Sequence, residues 1–256
     1  MALFRRKRGT NETMEHGAKL ITVAKPKGPI AEQFRTIRTN IDFMSVDKQV
    51  KKLAFTSANI SEGKSTITAN VAVTMAQAGK KVLLIDADLH RPTLHQTFEV
   101  SNKVGLTTIL TSKANEIDMK DVVKSGGVDN LSVLSSGPIP PNPSELLGSK
   151  RMKDFLDKVS AHYDMVVVDM APILEISDTQ VLAGEMDGVV LVVRQNVTQK
   201  AAIRRAVEML ELTKTHILGY VMNDVRTGAD GYGYGYGYGY GYGYGYERAD
   251  SKKANK

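Results

Sequence analysis

Cysteine is absent from the 256 residues, which excludes disulfides, thiolate metal sites and cysteine nucleophiles, and fits a reducing compartment. Any metal must then be held by oxygen ligands or histidine. Long apolar runs are missing as well. No stretch approaches the roughly 18 residues that cross a bilayer, and the basic opening from Met1 to Gly9 has no apolar stretch behind it, which argues against a secretory signal. The chain is expected in the cytoplasm. What is present is ordinary for a globular protein: 42% hydrophobic and 24% charged residues, enough to build one α/β domain with tails. The net charge of +6 gathers partly at the ends, in Arg5, Arg6, Lys7 and Arg8 and in Lys252, Lys253 and Lys256. Such runs are either solvated tails or patches attracted to an anionic membrane surface. No nucleic-acid motif accompanies them, so no nucleic-acid partner is expected.

Short apolar runs at Lys52 to Thr56, Val82 to Ile85, Leu131 to Leu134, Met165 to Val168, Gly188 to Val193 and Ile217 to Met222 read as strands. They are nearly continuous in Val, Ile and Leu, the pattern of a parallel sheet covered on both faces. Helical spacing occupies Ser65 to Ala78, Ser149 to Ala161 and Thr198 to Lys214. This order predicts an α/β fold, a doubly wound, mostly parallel sheet with helices on both faces. An amphipathic segment, Ala31 to Phe43, precedes the first strand and is expected to pack outside the sheet. The prolines at 138, 140, 141 and 143 predict an exposed loop leading into a helix. The domain organisation expected is a basic segment over 1–28, a P-loop domain over 29–228 and a tail over 229–256.

That tail carries Gly-Tyr alternation from Gly231 to Tyr246, placing eight of the ten tyrosines in sixteen residues. Glycine at every second position makes backbone ordering costly and excludes a helix, so an extended tail is expected. The structural alternative is a β-forming segment with all eight rings on one face.

The strand from Lys52 runs into Ala58-Asn-Ile-Ser-Glu-Gly63-Lys64-Ser65 and then a helix, the Walker A layout with alanine at its first glycine. Gly63 lets backbone approach phosphate, the N–H groups of Ser61 to Thr66 supply positive potential, and Lys64 neutralises β/γ-phosphate charge. Ser65 offers a hydroxyl to Mg²⁺. Two further strands end in acids, Asp86-Ala-Asp88 and Asp169. In a parallel sheet those ends share an edge with the P-loop, so three carboxylates are expected to converge on the phosphates.

The set of Ala58 to Ser65, Asp86-Ala-Asp88 and Val168-Asp169 resembles the bacterial tyrosine kinases that regulate capsular and exopolysaccharide synthesis, over about Ala31 to Asp224. The resemblance implies ATP and Mg²⁺ as cofactors. Ser61, Glu62, Gly63, Lys64, Ser65 and Thr66 would then bind nucleotide, and Ser65, Asp88 and Asp169 the metal. Lys64, Asp86 and Asp88 would be catalytic, with Asp86 orienting or deprotonating the incoming tyrosine hydroxyl. Asn223 matches the adenine-reading position, and an ordinary strand-end asparagine is the alternative. Glu32, Arg35 and Arg38 match the ExxRxxR motif through which such kinases form rings, and a solvated helix face is the bland reading. The phosphoacceptors would be Tyr232, Tyr234, Tyr236, Tyr238, Tyr240, Tyr242, Tyr244 and Tyr246. Also implied are a homo-oligomer, a separate transmembrane activator of the polysaccharide co-polymerase type that recruits the chain to the inner face of the membrane, and other polysaccharide-synthesis proteins as substrates.

The sequence departs from the pattern where Ile60-Ser61 replaces the usual Pro-Gly and where His90 replaces a frequent arginine. Two other functions compete. One is a positioning or partitioning ATPase of the deviant-Walker class, which carries a signature lysine where Asn59 stands here. The other is a nucleotide-dependent regulatory scaffold that phosphorylates nothing.

Overall fold

The computed structural model describes residues 16–45, 49–112 and 117–225. Seven strands form one sheet: β1 Lys52–Ser57, β2 Val82–Asp86, β3 Val123–Ser125, β4 Leu131–Leu134, β5 Met165–Asp169, β6 Gly188–Arg194 and β7 Ile217–Asn223. Their order across the sheet is β3-β4-β2-β5-β1-β6-β7. All neighbours run parallel except β3, which pairs antiparallel with β4. All six predicted strands are present, each beginning where the sequence placed it. The three-residue β3 escaped the sequence reading because so short a strand has no pattern of its own.

The helices are α1 Ile21–Ala24, α2 Pro29–Met44, α3 Lys64–Gln77, α4 Leu94–Thr97, α5 Leu106–Thr111, α6 Met119–Val122, α7 Pro143–Leu147, α8 Lys150–Ser160, α9 Asp178–Ala183 and α10 Lys200–Leu212. The proline-rich stretch leads, as expected, into α7, with Pro143 in its first turn, where the missing N–H costs nothing. Ser149 caps α8 by accepting from the Met152 N–H at 3.2 Å.

Side chains leave each strand alternately for two cores. On one face Leu53, Phe55, Met165 and Val167 pack with α2 and α3. On the other, Ala54, Val166 and Val168 pack with α8 and α10. Phe55 is fully buried, a contribution of about 1.5–3 kcal/mol for one such side chain. Eleven of the fourteen residues of α3 are buried, because its Ala, Val and Thr side chains let it lie close against the sheet while α2 covers its outer side. The amphipathic segment ahead of β1 therefore does lie outside the sheet, stacked on α3 and on edge strand β7. The ends of β1, β2 and β5 share one edge, with Phe55 beside Asp169 and Asp86 beside Asp169 in the ladder. That register places the Walker residues together.

Candidate functional site

The turn from β1 into α3 is wound tightly. Gly63 adopts φ 89°, a left-handed conformation natural to glycine, and a Cβ there would stand 2.0 Å from Asn223 Nδ2. Ser61 also sits at positive φ, 61°. It occupies the place where the pattern favours glycine, so this departure keeps the loop shape at a small conformational cost. Glu62 turns inward and is buried. Its carboxylate accepts from the Ala58 N–H at 3.0 Å, the Asn59 side chain at 3.1 Å and Thr198 Oγ1 at 2.6 Å. Glu62 thus braces the loop from inside, and only its main chain is free for phosphate. Asn223, at the end of β7, donates to the Glu62 carbonyl at 3.0 Å.

Ser61 to Thr66 line a cleft of about 140 Å³ together with Asp88, His90, Thr93, Pro172 and Ile176. Lys64 lies at its floor. Its Nζ donates to Asp169 Oδ1 at 2.8 Å, stands 3.4 Å from Asp88 Oδ2 and reaches Ser65 Oγ at 3.2 Å. Thr68 Oγ1 adds a second donor to Asp169 Oδ1 at 3.2 Å.

The three acids do not converge equally. Asp88 lines the cleft and Asp169 lies beneath Lys64, but Asp86 is enclosed behind them. Asp86 Oδ2 accepts from the N–H groups of Thr93 and Leu94, both at 3.0 Å, and Oδ1 from the Asp88 N–H at 3.3 Å. It staples the loop that carries Asp88, His90 and Thr93. Sequence placed Asp86 at a strand end; only the fold shows the backbone returning over its carboxylate.

Burial, with Asp169 close by, pushes the Asp86 carboxyl up to about 8. Burial also pushes Asp169 up, against the pull of Lys64. Burial works against the Lys64 charge too, but Asp169 and Asp88 outweigh it and hold that amine above its ordinary value. One ammonium cannot balance three enclosed carboxylates, so the coupled pair of Asp86 and Asp169 is pushed toward its protonated form.

The donor set fits a hard cation. Ser65, Asp88 and Asp169 offer oxygen, and Asp169 Oδ2 is buried with no hydrogen-bond partner among the described residues. No group of three or more His, Cys, Asp or Glu placed to hold a metal ion occurs among those residues, so a Mg²⁺ ion here would draw most of its shell from water and phosphate oxygens.

On α2, Glu32 pairs with Arg35, and Arg38 Nη1 donates to the Thr74 carbonyl at 3.1 Å near the end of α3. Glu32 is exposed and both arginines are half-buried. Tyr232 to Tyr246, and with them the expected tail, lie outside the described residues. Sequence reading also passed over Thr68, Thr198 and Asp178, whose contacts arise between segments far apart in the chain. No helix among the described residues is long and apolar enough to cross a membrane.

A family model described as an AAA domain matches residues 50–218. Tyrosine-protein kinase YwqD of Bacillus subtilis is 50% identical over 204 residues, 80% of this chain and 85% of that one. The solved kinase domain of Escherichia coli tyrosine kinase ETK superposes with a TM-score of 0.78 at 32% identity, covering 94% of this chain and 89% of that domain. This chain spans 28% of the full-length Etk relative. A chimerical protein CapA2B2 superposes with a TM-score of 0.77 at 36% identity, covering 84% and 98% of the two chains. These likenesses decide for the kinase over the ATPase switch and the scaffold. With the P-loop geometry, the matched domain and a half-identical relative in agreement, the chain belongs to the bacterial tyrosine-protein kinases and is a protein-tyrosine kinase of the P-loop class.

Proposed function

We propose that the chain transfers the γ-phosphoryl group of ATP to the tyrosines of its own C-terminal segment, 232–246, in a neighbouring copy, and that this regulates capsular or exopolysaccharide synthesis and export. The observation that carries the proposal is Lys64 Nζ, set between Asp169 and Asp88 at the start of α3 and at the floor of the cleft. There the amine meets β/γ-phosphate oxygens, and the first N–H groups of α3, which no helix turn precedes, meet the rest. Ser65, Asp88 and Asp169 would hold Mg²⁺, which when bound neutralises phosphate charge. The tyrosine oxygen bonds to the γ-phosphorus as the bond to the β–γ bridging oxygen breaks, ADP leaves with that electron pair, and the phenolic proton passes to water in the open cleft. Such a reaction asks the protein mainly for positioning and charge. Asp86 is assigned the orienting part of its expected role, exercised through the loop it staples. Asn223, besides fastening the loop, is the group proposed to face adenine.

In the same reading, residues 1–28 and 229–256 flank a kinase domain over 29–228. A transmembrane activator of the polysaccharide co-polymerase type recruits the chain to the inner membrane face, and other polysaccharide-synthesis proteins are further substrates. Sixteen residues of Gly-rich composition correspond to a reach on the order of 20–24 Å, enough to enter another copy's cleft. A Lys64→Met chain with its tail intact should therefore be labelled by an active chain truncated after Asp230, more strongly with the activator's cytoplasmic segment present. Mass spectrometry finding no label on Tyr232 to Tyr246 would count against transfer between copies.

The copies are proposed to meet through Glu32, Arg35 and Arg38. Changing all three to alanine should halve or further reduce the mass seen by light scattering. An unchanged mass returns these residues to a solvated face.

A further inference from the structure

His90 stands out as a departure from the family pattern, and the cleft beside the phosphate site is where it leads. Its Nε2 lies 2.8 Å from Asp178 Oδ2. Asp178 is 3% exposed, at the start of α9, and its other oxygen accepts from Ser144 Oγ of α7. Nε2 is the ring nitrogen engaged with Asp178, which leaves Nδ1 as the ring nitrogen for a further partner. Two other segments thus fix the imidazole, α9 directly and α7 through Asp178, while the side chain remains about a third exposed, 37%, in the cleft lining.

The surroundings suit a phenol. Pro172 and Ile176 line the same cleft as Ile60 of the P-loop, which is 42% exposed. His90 follows Asp88 by two residues, so it sits next to the group beside Lys64 and on the loop that Asp86 staples.

We propose that His90, held by Asp178, is a positioning residue of the acceptor-tyrosine subsite: its Nδ1 hydrogen-bonds the phenol hydroxyl, and Pro172, Ile176 and Ile60 receive the ring. This rests on the kinase reading above and specifies where its substrate binds. The bland alternative, a histidine that merely ties α9 to the loop, makes a different prediction, because it contacts no substrate.

The test uses the full chain with Tyr232 to Tyr246 changed to phenylalanine, γ-labelled ATP, and a free Gly-Tyr-repeat peptide as acceptor. His90→Ala should raise the peptide KM about tenfold while the ATP KM stays within about twofold, since an interaction made by one substrate alone is lost. His90→Gln, whose amide offers one donor to Asp178 and one acceptor to the cleft, should restore the peptide KM to within about threefold. Asp178→Asn should shift it in the same direction as His90→Ala, by less. An unchanged peptide KM in folded His90→Ala, or peptide and ATP KM rising together, would overturn the assignment and leave His90 structural. Failure of the parent chain to label any tyrosine, on the peptide or on an intact tail, would instead overturn the reading beneath it.

Discussion

A Lys64→Met chain is expected to stay folded, transfer about 10²–10³-fold less label from ATP to tyrosine, and melt at a lower temperature than its parent by a margin that widens with pH. The loss of transfer follows from removing the ammonium at the cleft floor, 2.8 Å from Asp169 and 3.4 Å from Asp88. The loss of stability follows from what remains. Removing one partner of a buried ion pair costs about 3–5 kcal/mol when the other charge is stranded. Here the stranded groups are carboxyls, and they escape by taking protons.

The sign comes from Asp86 and Asp169, both pushed up by burial, while Lys64 holds both down. A group whose folded value exceeds its unfolded one contributes stability that is fully present below the unfolded value and lost as pH rises through the folded one. For Asp86 that window runs from 3.8 to about 8 in the parent, and without Lys64 it extends higher. Circular dichroism melts at about pH 6 and about pH 9, beside phosphotyrosine detection, check both parts. Undiminished phosphorylation by the folded variant would refute the site, and a pH-independent gap would refute the protonated acid cluster.

Gly63→Ala should weaken nucleotide binding about tenfold or more, and Asn223→Ala should relieve part of that defect. The new Cβ would lie 2.0 Å from Asn223 Nδ2, so the side chain must swing away and give up its 3.0 Å bond to the Glu62 carbonyl. A second component, about 1–2 kcal/mol for a non-glycine residue in left-handed backbone, persists whatever stands at 223. Titration of a fluorescent nucleotide into both single variants and the double variant separates the two. Strict additivity would show that Asn223 does not press on the loop.

Much of this protein was legible before folding. The continuous apolar strands stated a parallel sheet, since only strands covered on both faces tolerate such runs. Gly63-Lys64-Ser65 after a strand and before a helix stated a phosphate site, because its chemistry depends on local backbone and one neighbouring cation. Asp86, Asp88 and Asp169 were legible as carboxylates gathered near the phosphate site for a related reason: strand ends in a parallel sheet share an edge. His90 was visible only as an irregularity, without a function attached.

Sequence by itself determined the element order, the phosphate-binding turn and the identity of the charged groups at its rim, all set by periodicity and by contacts within a few residues. Tertiary structure decided how those groups divide their work. It enclosed Asp86 under the returning loop, turned Glu62 inward to Thr198, laid Asn223 against the P-loop and held His90 on Asp178, residues 88 positions apart. The physical reason is that a carboxylate's role depends on which donors reach it and how much water remains. Both are fixed by chain segments distant in sequence, and no local pattern encodes them.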